Sequence, residues 1–176
     1  MKWFSGVLLA LLTAFTLAGG SSANASAPLN FVAPLSGNEE VPPRETGGTG
    51  LAVFQLSADG TELGYRLIAS NIENVVASHI HVGAAGANGP VVAFLAGPFP
   101  PAGGRTDGVL ATGTITAANL VGPLAGHPLS DLIAAMQAGN TYVNVHTNDG
   151  VAPADSGPGD FPGGEIRGQI REAGPN

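Results

Sequence analysis

Histidine is scarce in this chain, with four among 176 residues, and three of the four fall in segments that alternate as strands do. In Ser78-His79-Ile80-His81-Val82 the period of two puts His79 and His81 on one face and Val76, Ile80 and Val82 on the other. In Thr141-Tyr142-Val143-Asn144-Val145-His146-Thr147, Val143 and Val145 share one face, and Tyr142, Asn144 and His146 share the opposite one. An i, i+2 pair is about 6.6 Å apart along a strand, close enough for two rings to lean onto one ion. A third imidazole from a neighbouring strand would complete a nitrogen-rich site for His79, His81 and His146. Three neutral imidazoles suit copper, and after it zinc, and suit calcium or magnesium poorly. The competing reading makes them ordinary polar side chains on half-exposed strands. His127, in Gly126-His127-Pro128, reads as a solvent-facing residue at a helix entry, with a fourth-ligand role left open.

The other candidates read as structural. Asp149, Asp155 and Asp160 share a Gly- and Pro-rich loop but match no calcium spacing, so a solvated acidic loop is expected. Gly83-Ala84-Ala85-Gly86-Ala87-Asn88-Gly89 follows a strand and leads into another strand, which makes it a turn and not a dinucleotide fingerprint. Glu165 and Arg167 alternate on one face of the last strand, where an ion pair, or a contact to Glu39 or Glu40, is expected. No Gly-x-Ser-x-Gly elbow accompanies Ser78 and His79. The chain has no cysteine, which excludes thiolate ligands, cysteine nucleophiles and disulfides. No catalytic residue is assigned.

Eight short segments bounded by Gly, Pro, Asn or Asp must position these residues: 30–35, 50–57, 62–69, 75–82, 91–95, 109–116, 141–147 and 165–170. They predict an all-β fold, a Greek-key β-sandwich or flattened barrel of about eight strands. Asp59-Gly60 marks a tight hairpin turn. Between Pro128 and Gly139, Leu129, Leu132, Ile133 and Met136 share a helical face, which predicts one short helix. Two loops, 96–107 and 148–164, are rich in Gly and Pro.

The N-terminus carries Lys2, a 12-residue apolar run from Val7 to Ala18, and Ala-x-Ala sites at Ala23-Asn24-Ala25 and Ala25-Ser26-Ala27. These are the parts of a cleavable signal peptide over 1–27, and the run falls short of the roughly 20 residues of a membrane span. The expected mature chain, 28–176, is one domain, exported to the periplasm or beyond, without membrane insertion. Losing Lys2 takes the formal charge from −7 to −8, a balance that disfavours nucleic acid and anionic lipid as partners.

Four motifs in order, Asn38-Glu39-Glu40-Val41-Pro42-Pro43, Ser78-His79-Ile80-His81-Val82-Gly83 with Asn88-Gly89-Pro90-Val91-Val92, Tyr142-Val143-Asn144-Val145-His146-Thr147, and Gly163-Gly164-Glu165-Ile166-Arg167-Gly168-Gln169-Ile170, resemble the CHRD domain. The likeness runs from about Leu35 to Ile170. It implies an extracellular-type β-sandwich whose function in most bacterial members is unassigned. Around the histidines the chain is also distantly similar to the copper,zinc superoxide dismutases. His79, His81 and His146 correspond to three of that family's copper ligands, but the bridging histidine, zinc-loop histidines and disulfide cysteines have no counterpart. Three functions follow as expectations: an exported copper-binding or copper-handling protein through these histidines, a copper-dependent enzyme of dismutase type, or a structural, protein-interaction sandwich without metal.

Overall fold

The computed structural model describes residues 29–174; the expected signal peptide lies outside them. The chain forms strands β1 (Asn30–Ser36), β2 (Thr49–Leu56), β3 (Leu63–Glu73), β4 (Val75–Val82), β5 (Val91–Ala96), β6 (Arg105–Ile115), helix α1 (Leu129–Gln137), and strands β7 (Thr141–Thr147), β8 (Ile166–Gln169) and β9 (Arg171–Glu172). They build one antiparallel sheet in the order β5-β4-β7-β8-β1-β2-β3-β6, with β9 continuing beyond β8 along β1. The sheet curls until its two edges, β5 and β6, approach each other. The result is a nearly closed barrel, the second of the two expected shapes. Around it β3, β6, β5 and β4 lie in Greek-key order.

Alternation along the strands fills the interior. Phe31, Ala33 and Leu35 of β1, Leu63 and Leu67 of β3, Ile80 of β4 and Val143 and Val145 of β7 are buried in a single core. The helix stands where Leu129, Leu132, Ile133 and Met136 predict it, and all four enter the same core. Among the described residues no helix is long and apolar enough to cross a membrane.

Most strand ends fall within one residue of those the sequence predicts, and three features differ more. β3 does not stop at Ala69: it continues through a bulge in which Asn71 adopts φ 54°, because Asp107 accepts the Asn71 amide (2.7 Å) and the Ser70 hydroxyl (3.1 Å). Its partner β6 correspondingly begins at Arg105, before the expected Val109. The last expected strand is interrupted at Ile170, whose amide turns to the Thr141 carbonyl. At the barrel's seam, Tyr65 of β3 lies across Gly113 of β6 and donates its hydroxyl to the Leu95 carbonyl of β5 (2.7 Å). A Cβ at Gly113 would fall 2.7 Å from that hydroxyl oxygen, so a side chain there would push the Tyr65 ring aside.

Candidate metal centre

β4 and β7 pair with Ser78 opposite Val145, His79 opposite Asn144, Ile80 opposite Val143 and His81 opposite Tyr142. Val143, Val145 and Ile80 point into the core, so His79, His81, Tyr142, Asn144 and His146 share the outer face, as their parity predicts. That face is covered. His81 is 8% exposed and Asn144 4%, while His79 and His146 are half-buried. Loops before β5 and β8 supply groups that close over it.

The three imidazoles converge. One ligand atom from each of His79, His81 and His146 lies within 4.8 Å of the others, and His79 Nδ1 is 3.1 Å from His146 Nε2. Two nitrogens at that spacing subtend about 100° at an ion 2.0–2.1 Å from each, close to tetrahedral geometry. The rings are also oriented. His81 Nδ1 donates to the Gly89 carbonyl (2.8 Å) and His146 Nδ1 to the Pro162 carbonyl (2.8 Å). A carbonyl only accepts, so both rings carry their proton on Nδ1 and keep a lone pair on Nε2. His81 Nε2 is buried and has no hydrogen-bond partner. The His79–His146 contact then places the shared proton on His79 Nδ1.

All three rings are held below the ordinary histidine range. Burial, reinforced by the neighbouring His146 and His81, brings His79 down to about 4. Burial is also the main cause for His81, which the Gly89 carbonyl and Asn144 partly offset, and for His146, which the Pro162 carbonyl partly offsets. At neutral pH the cluster is uncharged; the His81 Nε2 lone pair is free, and the His146 Nε2 lone pair is met only by the His79 ring, whose proton moves to its own Nε2 when the ring takes its other tautomer.

A buried scaffold backs the histidines. The Tyr142 ring stacks on His81 at 4.8 Å and 10°, and the Arg167 guanidinium lies 3.4 Å above the Tyr142 ring. Arg167, 1% exposed, donates to the Asn88 side-chain oxygen (3.0 Å) and to the carbonyls of Ala87 (2.8 Å) and Ala84 (3.3 Å). Asn88 donates in turn to the Val41 carbonyl (2.8 Å). Arg167 thus pins the turn whose Gly89 carbonyl orients His81. Phe94 of β5, 53% exposed, sets its ring edge-on to His79 at 4.8 Å.

The expected Glu165–Arg167 ion pair does not form. Glu165 accepts from Thr46 (2.6 Å), Thr147 (2.7 Å) and the Gly159 amide (2.8 Å), tying the 148–164 loop to the barrel. Arg167 spends its donors on carbonyl and amide oxygens because the turn over its strand brings these, and not a carboxylate, within reach. The carboxylate it does influence is Glu40. Burial raises Glu40 to about 7, and Arg167 and then, after a backbone hydrogen bond, Arg44 oppose that rise.

The remaining candidates stay apart. His127 pairs with Asp131 (2.8 Å) on the solvent side of the helix entry, outside the cluster. Asp155 pairs with Arg44 (3.1 Å), Asp149 accepts the Val151 amide, and Asp160 accepts the amide and hydroxyl of Ser156. Asn144, Tyr142 and Glu40 join the site although residue type alone does not mark them as parts of it. The signal for the first two is their parity with His146.

The CHRD domain family model matches residues 31–170, and the chain belongs to that family. A search of curated proteins finds no match.

Proposed function

Taking the chain as a CHRD-domain protein, we propose that it binds one copper ion through His79, His81 and His146, and that it does so as an exported protein that holds or handles the metal. The observation that carries this reading is the pair of locked rings. Backbone carbonyls fix the Nδ1 protons of His81 and His146, and the buried Nε2 of His81 is left without a partner beside two other ring nitrogens. Outer carbonyls that set a ring's tautomer are the usual support of a ligating histidine. Three uncharged imidazoles need lose no proton to bind, and the divalent affinity order puts copper above zinc. Export rests on Lys2, the Val7–Ala18 run and the Ala-x-Ala sites, and the lack of cysteine suits an oxidising compartment.

Titration calorimetry on metal-stripped protein without an affinity tag tests the reading. Wild type should take up one equivalent of Cu(II), and the His79→Ala/His81→Ala/His146→Ala variant should bind more than about 100-fold more weakly. Equal affinity in the two proteins overturns the assignment. Zinc binding as tight as copper would reassign the metal.

A further inference from the structure

We infer that Asn144 is a fourth ligand, so that the centre takes three imidazole nitrogens and one amide oxygen. The inference rests on the three-histidine reading and adds a group to it. Asn144 Oδ1 lies 3.0 Å from His146 Nε2. That nitrogen has no proton to donate, because the ring's proton is on Nδ1, held by the Pro162 carbonyl. Two acceptors therefore stand at hydrogen-bond distance, relieved in the metal-free protein only by the His79 N–H that Nε2 accepts from its other side. A cation removes the conflict. An oxygen and a nitrogen 3.0 Å apart subtend about 90° at an ion roughly 2.1 Å from each, an angle that copper and zinc sites accommodate.

The surroundings fix which end of the amide faces the rings. Asn144 Nδ2 lies 3.0 Å, and Glu40 Oε1 2.5 Å, from the position that a Gly164 Cβ would occupy. Glu40 Oε1 is buried and has no hydrogen-bond partner, and Nδ2 is the end of the amide that lies toward Gly164 and Glu40. Strand register centres the residue further: Asn144 stands opposite His79 on β4 and opposite Arg167 on β8. A neutral amide supplies an oxygen ligand here without placing a second carboxylate beside Glu40. Gly164, at φ +126°, leaves the room in which the carboxyl and the amide meet.

An oxygen donor favours Cu(II) and adds little for the softer Cu(I). The test is therefore Asn144→Leu in the whole protein, similar in volume and without a donor atom, titrated with Cu(II) and with Cu(I) and examined by electron paramagnetic resonance as the Cu(II) form. Cu(II) binding should weaken about tenfold or more, with altered copper hyperfine splitting, while Cu(I) binding stays within about twofold. Unchanged Cu(II) affinity and spectrum overturn the inference, as does an equal loss for both oxidation states, which would make Asn144 a positioning residue. If the leucine variant does not fold, Asn144→Asp decides: a carboxylate oxygen at the same point should alter the Cu(II) spectrum, and an unaltered one overturns the inference. A wild-type protein that takes up no copper overturns the three-histidine reading itself, an outcome distinct from all of these.

Discussion

The chain has two places where metal-binding residue types gather, the outer face of β4 and β7 and the acidic loop between β7 and β8. In the loop, three carboxylates stand within twelve residues, yet each is engaged locally, Asp149 by a backbone amide, Asp155 by Arg44 and Asp160 through one oxygen by Ser156, and the buried second oxygen of Asp160 stands alone. On the strand face the order is reversed. Carbonyls engage the ring nitrogens that point away, and the lone pairs left over converge. Density of ligand-type residues is thus a poor guide. What distinguishes a centre is unspent coordinating capacity held toward one point by groups outside it.

The scaffold behind the strand face is where this contrast is most sharply tested. Replacing Arg167 with Met leaves the Ala84 and Ala87 carbonyls and the Asn88 side chain without their donor and frees the turn that orients His81. Urea denaturation should show a loss of about 3 kcal/mol, and Cu(II) affinity should fall roughly tenfold. Stability lost with affinity unchanged would mean the rings hold their orientation without the turn.

Acid separates the groups next. His79 titrates near 4 when folded and near its ordinary value, 6.5, when unfolded, so between those values the unfolded chain binds more protons. Stability of the metal-free protein falls as pH drops through that window. His81 and His146, also lowered, act in the same direction. Glu40 acts oppositely: raised from 4.5 to about 7, it costs stability as pH rises through that range and masks part of the histidine effect. Glu40→Gln should therefore steepen the acid loss by up to about 1.4 kcal/mol per pH unit, read from urea midpoints at about pH 5 and 6. An unchanged slope would show that Glu40 titrates normally.

The smallest effect belongs to the loop. A variant carrying Asp149→Asn, Asp155→Asn and Asp160→Asn should bind Cu(II) within about twofold of wild type, or ~0.4 kcal/mol. A larger change in calorimetric affinity would join the two regions into one electrostatic unit.

Much of the strand face is legible in the order of residues alone. The alternation of Val143 and Val145 with Asn144 and His146, and of Ile80 with His79 and His81, specifies one side of two strands because the pleat has period two. Helix α1 is legible for the same kind of reason. The orienting carbonyls are not: Gly89 and Pro162 lie 8 and 16 residues from the rings they hold, and backbone groups carry no residue-type signal. Arg167 misleads because its charge suggests a carboxylate partner, whereas loop closure supplies oxygens without charge. The bulge at Asn71 misleads because a turn-forming residue sits inside a continuing strand, stabilised by Asp107, 36 residues away.

The seam of the barrel bears on how such a domain keeps to itself. A sheet with free edges offers its main chain to any extended segment that drifts by, and with no disulfide the covalent framework cannot limit the damage when strands exchange. Here β5 and β6 are turned toward each other and bridged by one phenolic hydroxyl laid over Gly113. The fold turns its two adhesive margins toward each other, and a side chain at Gly113 would displace the one group that links them.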